Sequence, residues 1–551
     1  MTSDRANILI ILVASVIITL PIALLGVPKG NDLPQHFQFA VVFRDSLSHG
    51  APFPSWSANV NSGYGDVGVR FYPPLAYYLL VLFYGVFGMW IYATAVTICL
   101  LFFVGGVGVY LWCREWLGPR ASLAGALLYV FVPYHVNEIY NAFIFAEFAA
   151  ACVLPFCFLY VTRVVKGKSL FDCLGLAVSL VALLLTNLPM AVIGSISLTV
   201  YTLVLLIKDR RVASILRLFG SACFSLLLSG FYWVRMVSEL PFVNHTAESF
   251  TAGDYDFRSN FVWSFFYSSA DQYSERSLGF LDLMLLVTVA MAVAGVAAFH
   301  LRAVKTERAI LTAPLLLLSI GLFFATPLSA PIWERIDLLQ RTQFPWRWMA
   351  IISLACCMLT AAGFEQIRDL RTLGTQRLGL ILGGLAAAAV TFSVAQVIRP
   401  AIFLEPASFD ETVEALATAN SCECWWPVWA SKAAMTDRTL VAAGERVATI
   451  ENWQSTRRTF QISAGDDTVA RVATFYYPAW HARVNGQKVQ ISHDPDGAIT
   501  VPLSREDSHI ELYFEESGLE RIANLLSIVA WFGLAAAATY FAIRTKLSKL
   551  I

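Results

Sequence analysis

Asn31-Asp32-Leu33-Pro34-Gln35-His36 follows directly on the first long apolar segment of the chain, residues 8–27. An apolar run of that length crosses a membrane as a helix. The stretch therefore sets a carboxylate and an imidazole at a membrane surface, where ionisable side chains are costly and tend to be functional. A long polar and aromatic segment comes next, not a second span. Such a segment needs a reason to exist, and chemistry on a lipid-linked molecule is a leading one.

Composition supports this reading. Of 551 residues, 57% are hydrophobic and only 14% charged, with a mean hydropathy of +0.62. Those values lie outside the soluble globular range and indicate a polytopic α-helical membrane protein. The formal net charge is zero, which removes the electrostatic case for a nucleic-acid partner. The first apolar segment is too long for a signal-peptide core and has no clear small-x-small cleavage site, so it reads as a retained anchor. Most of the ten cysteines fall in apolar segments (Cys99, Cys152, Cys157, Cys223, Cys356, Cys357). There they act as small hydrophobes, not as a disulfide framework.

Windows of about 20 apolar residues mark about 12 spans. Their approximate ranges are 8–27, 90–112, 121–135, 147–165, 170–187, 189–207, 213–233, 279–300, 309–326, 347–363, 378–398 and 522–543. Residues 72–89 are apolar but open with Pro73-Pro74 and are short for a crossing, so they read as a juxtamembrane or re-entrant helix. Charge tests that choice. Alternate loops hold Arg114 and Arg120; Arg163, Lys166 and Lys168; Lys208, Arg210 and Arg211; Arg302, Lys305 and Arg308; Arg368 and Arg371; and Arg544, Lys546 and Lys549. The positive-inside rule then puts both termini in the cytoplasm, and a full span at 72–89 would reverse every later loop. The long aromatic-rich loops 28–89, 134–146, 234–278, 327–346 and 399–521 fall on the outer side.

Three units follow: a membrane module over 1–398, a β-rich extracytoplasmic domain over 399–521, and a last span with its tail over 522–551. From about residue 437 the pattern alternates at strand period, as in Arg458-Thr-Phe-Gln-Ile and His509-Ile-Glu-Leu-Tyr-Phe. Asn485-Gly486 marks a two-residue hairpin, and Asp494-Pro-Asp-Gly497 marks a turn. A small β-sandwich of roughly 110 residues is expected, either as chemistry-free lid or as binding module.

Candidate functional residues cluster in the outer loops. Asp32 and His36 stand four apart, so a helix beginning near Leu33 turns both toward one cavity, unless Asp32 only caps that helix. Trp56, Asn59, Asn61, Tyr64, Asp66 and Tyr72 combine aromatic faces with amides and carboxylates, the chemistry of sugar binding. An interfacial aromatic belt accounts for some of the rings but not for the amides and acids. Glu138 and Glu147 lie in and after the 134–146 loop, Glu147 at the start of a span where it needs a polar cavity or serves the helix dipole. Arg341 and Arg347, in Gln340-Arg-Thr-Gln-Phe-Pro-Trp-Arg-Trp348, and Arg235, Arg258 and Arg276 could fork onto a phosphate; snorkelling to headgroups is the alternative for Arg347. Cys422-Glu423-Cys424 reads as too close for an easy disulfide and lacks a second ligand pair for a metal. No Gly-rich phosphate loop or nucleotide fingerprint occurs, which argues against a free nucleotide-sugar donor.

The run Asp32-x3-His36, Gly50-Ala-Pro-Phe-Pro54-Ser-Trp56, Asn61-Ser-Gly63-Tyr64-Gly65 and Phe71-Tyr72-Pro73-Pro74-Leu75-Ala-Tyr77-Tyr78 resembles the first loop of GT-C glycosyltransferases. It is most similar to the bacterial and archaeal membrane family labelled 6-pyruvoyl-tetrahydropterin synthase-related, a label that implies no pterin chemistry. Gln343-Phe-Pro-Trp-Arg347 is similar to a later motif of that family and of YfhO-like transferases. Phe475-Tyr-Tyr-Pro-Ala-Trp480 with Val484-Asn-Gly486 resembles their closing β-domain. The resemblance implies an outer-face site that uses a polyprenyl-phosphate sugar, with Asp32 as catalytic base. Relatives carry an arginine shortly before the glutamate that matches Glu147; Tyr140-Asn-Ala-Phe-Ile-Phe-Ala-Glu147 has none.

The expectation is therefore an inverting glycosyltransferase in a bacterial or archaeal cytoplasmic membrane. Asp32 takes the acceptor's proton and His36 orients Asp32 or touches a sugar hydroxyl. Trp56, Asn61, Tyr64, Asp66, Tyr72, Glu138 and Glu147 form the sugar pocket. Arg347, Arg258 and Arg341 hold the leaving phosphate. Arginine can stabilise a monophosphate without a metal, although an acidic metal site stays open. The partners expected are the lipid-linked donor, a glycan, lipid or protein acceptor, and membrane lipids. The alternatives are a transporter or flippase, whose broken helices should pair between two halves, and a non-catalytic binder of lipid-linked glycans.

Overall fold

A computed structural model of the chain describes residues 2–167, 169–208, 212–246, 253–263, 272–300, 309–368 and 373–547. Of the basic residues that set the expected orientation, Lys168, Arg210, Arg211, Arg302, Lys305, Arg308, Arg371 and Lys549 lie outside these, as does the side chain of Arg276.

Helix α1 (Thr2–Leu25) leads into a two-residue strand β1 (Val27–Pro28), then α2 (Leu33–Ser48), α3 (Gly68–Phe71) and α4 (Leu75–Phe87). The membrane module continues with α5 (Trp90–Cys113), α6 (Pro119–Val130), α7 (Pro133–Tyr140), α8 (Phe145–Val165), α9 (Phe171–Leu184), α10 (Leu188–Lys208), α11 (Val212–Leu228) and α12 (Gly230–Glu239). It closes with α13 (Gln272–His300), α14 (Ala309–Ala325), α15 (Ala330–Trp333), α16 (Asp337–Gln340), α17 (Met349–Arg368) and α18 (Leu373–Ile398).

The segments expected to span are largely helical, with breaks inside 121–135 and 213–233. Among the described residues, seven helices are long and apolar enough to cross a membrane alone, or up to nine if each of two bent pairs is one span. The expected figure of about twelve is not reached by that measure, in part because some apolar helices are short. The 12 residues of α6 and the 14 of α9 reach only about 18–21 Å at 1.5 Å per residue, against a hydrocarbon core of about 30 Å. The 13-residue α4 is short by the same arithmetic. The bent pairs turn by 70° after Leu228 and by 80° at Thr326-Pro327.

The two ends of the bundle are chemically distinct. The C-terminal end of α1 and the N-terminal ends of α8 and α17 meet at the end that carries Asp32. At the other end Arg114 pairs with Asp4 at 3.5 Å, and Arg163 with Glu115 at 2.9 Å.

After α18 the chain forms β2 (Phe403–Leu404), which pairs antiparallel with β1, and α19 (Phe409–Leu416). This pairing is tight. A Cβ on Gly26, whose φ is +117°, would stand 1.8 Å from the Leu404 carbonyl oxygen. Two antiparallel sheets follow, built from β3 (Val441–Ala442), β4 (Ala448–Trp453), β5 (Arg457–Ile462), β6 (Val469–Phe475), β7 (Trp480–Val484), β8 (Gln487–Val489), β9 (Ser492–His493), β10 (Ala498–Pro502) and β11 (Ser508–Phe514). Their orders are β3-β6-β10-β9 and β4-β5-β11-β7-β8. Asn485 and Gly486 take the positive φ values, 49° and 80°, that a tight hairpin between β7 and β8 needs. Asp494 Oδ1 accepts from the amides of Asp496 and Ala498, which fixes the turn into β10. Helix α20 (Gly518–Leu547) returns the chain to the bundle.

Candidate active site

Helix α2 begins at Leu33, with Asp32 at its N-cap position and a proline in its first turn. The Asp32 side chain makes no capping bond, so the carboxylate is not spent on the helix end. Burial pushes its carboxyl up to about 6; Arg347 pulls it down and Glu147 pushes it up. Those two residues are therefore the charges it faces.

Glu147 lies in the first turn of α8 and is fully buried. Its Oε2 accepts from Arg347 Nε at 2.7 Å, and its Oε1 accepts from the Tyr134 hydroxyl at 2.8 Å. Arg347 is held from its own side as well. The 3-10 turn Pro345–Trp348 delivers it inward. Its Nη1 donates to the Thr342 carbonyl at 2.6 Å, and its guanidinium lies 4.8 Å from the Phe344 ring. Two non-glycine residues in the segments that carry this pair, Phe143 and Gln343, sit at positive φ (50° and 62°). Backbone strain of that kind gathers where a site over-determines its loops. Tyr72 completes the cluster: burial raises its hydroxyl, Asp32 raises it further and Arg347 lowers it.

His36 shares the α2 face with Asp32, its amide donating to the Asp32 carbonyl at 3.0 Å. Its ring does not reach the Asp32 carboxylate, which corrects the expected orienting contact. Nδ1 bonds the Tyr77 hydroxyl at 2.8 Å, and the edge of Tyr72 stands 6.1 Å away. Burial pushes the imidazole down to about 3, so it is neutral. Nε2 is buried with no hydrogen-bond partner among the described residues.

Glu138 lies deeper. Its Oε2 is 2.6 Å from His135 Nδ1; burial drives His135 down to about 3 and Glu138 upward. The His135 ring packs edge-on against Tyr129.

The four residues from the middle of the first loop go elsewhere, and this corrects the expected sugar pocket. Trp56 packs on Trp480 at 5.5 Å and on Phe514 at 6.0 Å. Tyr64 donates to the Asp437 carbonyl and accepts from Arg471 Nη1, both at 2.7 Å. Asn61 bonds Ser421, and Asp66 accepts from the Gly68 amide at 2.9 Å. All four are buried against the C-terminal region, and none bonds Asp32, Glu147 or Arg347.

Two of the three expected phosphate arginines also differ. Arg258, with 57% of its side chain exposed, pairs with Asp256 and Glu334. Arg341 pairs with Asp337 at 2.9 Å on the surface. Neither is among the charges acting on Asp32. Cys422 and Cys424 form a disulfide, contrary to expectation. The turn that begins at Glu423 brings their Cα atoms to 5.2 Å, inside the usual range. Among the described residues no three His, Cys, Asp or Glu side chains converge as a metal site needs.

Asp32 thus stands just after the first long apolar helix, beside a buried Glu–Arg pair carried by α8 and the turn before α17. The family described as "6-pyruvoyl-tetrahydropterin synthase related domain; membrane protein" matches residues 69–396. The chain belongs to this family. No curated protein matches the sequence. Among solved structures, the mycobacterial arabinofuranosyltransferase AftD matches at 13% identity with a TM-score of 0.50, over 75% of this chain and 28% of that one. The Archaeoglobus fulgidus oligosaccharyltransferase matches at 13% identity and TM-score 0.40, over 71% of this chain and 56% of that one. ArnT from Cupriavidus metallidurans, bound to undecaprenyl phosphate, matches at 13% and 0.32, over 76% and 89%. The chain spans little more than a quarter of the first and about half of the second. The membrane module of this family member has the GT-C fold, followed by a C-terminal β-sheet region, and its structural neighbours are glycosyltransferases.

Tyr134, Tyr77 and the Thr342 carbonyl are members of the site that sequence reasoning did not assign. Tyr134 opens the loop that carries Glu138, a position that pointed to it; a backbone carbonyl leaves no such trace.

Proposed function

We propose that the protein is an inverting glycosyltransferase that moves a sugar from a polyprenyl-phosphate donor to an acceptor hydroxyl on the outer face of the membrane. One observation carries this reading: the Asp32 carboxylate is neither a cap nor an ion-pair partner, and it faces Glu147 and Arg347. Asp32 accepts the acceptor's proton as that oxygen attacks the anomeric carbon. The lipid phosphate departs with the glycosidic electron pair and is met by Arg347, whose Nε and Nη1 are occupied and whose remaining amino group is available to an oxygen. Glu147 and Tyr134 hold the guanidinium in place. Tyr72 and His36 line the wall beside the base.

The two bent helix pairs are what a transporter reading would use. A turnover assay separates the two. Membranes supplied with polyprenyl-phosphate sugars should release lipid phosphate, and Asp32→Asn should lower that rate by about 10²–10⁴-fold without lowering the unfolding temperature. Undiminished transfer at normal expression removes Asp32 from the mechanism. Binding without turnover across a panel of donors favours transport.

A further inference from the structure

Strand β5 alternates in the usual way: Arg457, Thr459 and Gln461 point outward, and Phe460 and Ile462 fill the core. Arg458 stands at an inward position of that pattern and is completely buried. A cation at an apolar-in position contradicts the local rule, and such contradictions mark functional or specially compensated places. Arginine cannot resolve the conflict by losing its proton, although burial pushes its pKa down to about 9.

The compensation is incomplete. Nη1 donates to the Ala473 carbonyl of the facing sheet at 3.2 Å. The guanidinium lies between two indoles, 4.5 Å from Trp453 and 5.3 Å from Trp480. No carboxylate pairs with it among the described residues. Among the described residues its Nε and Nη2 are buried without a partner, and so are Trp480 Nε1 and the hydroxyl of Thr474, the residue next to Ala473. The group is a surplus of donors around one positive charge. Water suits it poorly, because a buried water must also donate, and of these unpartnered side-chain groups only the Thr474 hydroxyl can accept. An anion only accepts, and it supplies the missing counter-charge.

We propose that the core between the two C-terminal sheets binds a small monovalent anion, a halide such as chloride, on Arg458, Thr474 and Trp480. Full burial excludes a partner's carboxylate or a phosphate ester. Trp480 also carries Trp56 of the first loop on its ring, so the anion steadies the surface on which that loop rests.

The test uses the full-length protein in detergent, with chloride exchanged for gluconate at constant ionic strength. The near-UV circular dichroism of the tryptophans is followed through thermal unfolding. The midpoint should rise with chloride and saturate. Thr474→Val, which keeps the cation, should raise the half-saturating concentration by about ten-fold, the loss of one charge-assisted hydrogen bond. Arg458→Met should abolish the dependence. Should that variant not fold, crystals grown in bromide decide, through an anomalous peak between Arg458, Thr474 and Trp480. A midpoint indifferent to chloride, an equal chloride response in Thr474→Val and wild type, or no bromide peak overturns the proposal.

Discussion

At the scale of single residues, Asp32 gives the sharpest prediction. Its carboxyl is raised to about 6 chiefly by burial, above about 3.9 for an exposed aspartate. Between those values the folded state holds more protons than the unfolded state, so this group's contribution to stability falls as pH rises through the window and levels off above it. Activity runs the other way, because a base must be ionised. The rate of transfer at saturating donor should climb to a plateau with a midpoint near pH 6. A midpoint near 4 would mean that the burial felt by Asp32 is relieved in the working enzyme. Asp32 itself was legible in the sequence, because a carboxylate directly after a first span has few bland explanations. Trp56, Asn61, Tyr64 and Asp66 were misread for an equally physical reason. Aromatic rings with amides and acids have the same composition in a sugar pocket and in a polar interface, and only the partners, some 360–410 residues away in sequence, tell them apart.

At the scale of elements, the site is a junction. The Glu147–Arg347 bond ties the first turn of α8 to the 3-10 turn before α17. Pattern reading found both residues but could not pair them, because hydropathy fixes where a helix lies in the membrane and not which helices touch. A second junction, Arg70 with Glu239 and Glu520, joins α3 to α12 and α20 at 2.6 and 2.9 Å and left no sequence signal either. The first junction can be tested by a mutant cycle. Arg347→Met strands a buried carboxylate and should cost about 3–5 kcal/mol of stability. Adding Glu147→Gln, which can still accept from Tyr134, should recover most of that loss. Transfer should stay absent in both variants. If the double variant unfolds at the same temperature as Arg347→Met, the two side chains are not energetically coupled and the junction does not hold the helices together.

At the scale of the whole molecule, the first loop and the C-terminal region are two halves of one structure, although some 350 residues lie between them. The chain pairs β1 with β2 just beyond the ends of α1 and α18, buries Trp56 on Trp480 and Phe514, and hangs Tyr64 on Arg471. The Phe475 amide donates to the Tyr64 carbonyl at 3.0 Å, so even backbone passes between the halves. A closing domain that only shielded the site would not need such contacts; one that sets the shape of the first loop would. The two halves should therefore open as a single unit. Arg471 also bonds Asp494 at 2.7 Å and Asp437 at 3.3 Å, so Arg471→Ala releases Tyr64 and the β10 turn together. Hydrogen exchange should then quicken by about ten-fold or more at residues 57–66 as well as in β6 and β10, because a charge-assisted bond contributes about 1.5–3 kcal/mol. The amides of α8 and α17 around Glu147 and Arg347 should not change. Faster exchange confined to the strands, with residues 57–66 as protected as before, would show that the loop stands without the C-terminal region, and the role of that region would have to be sought in its outer face.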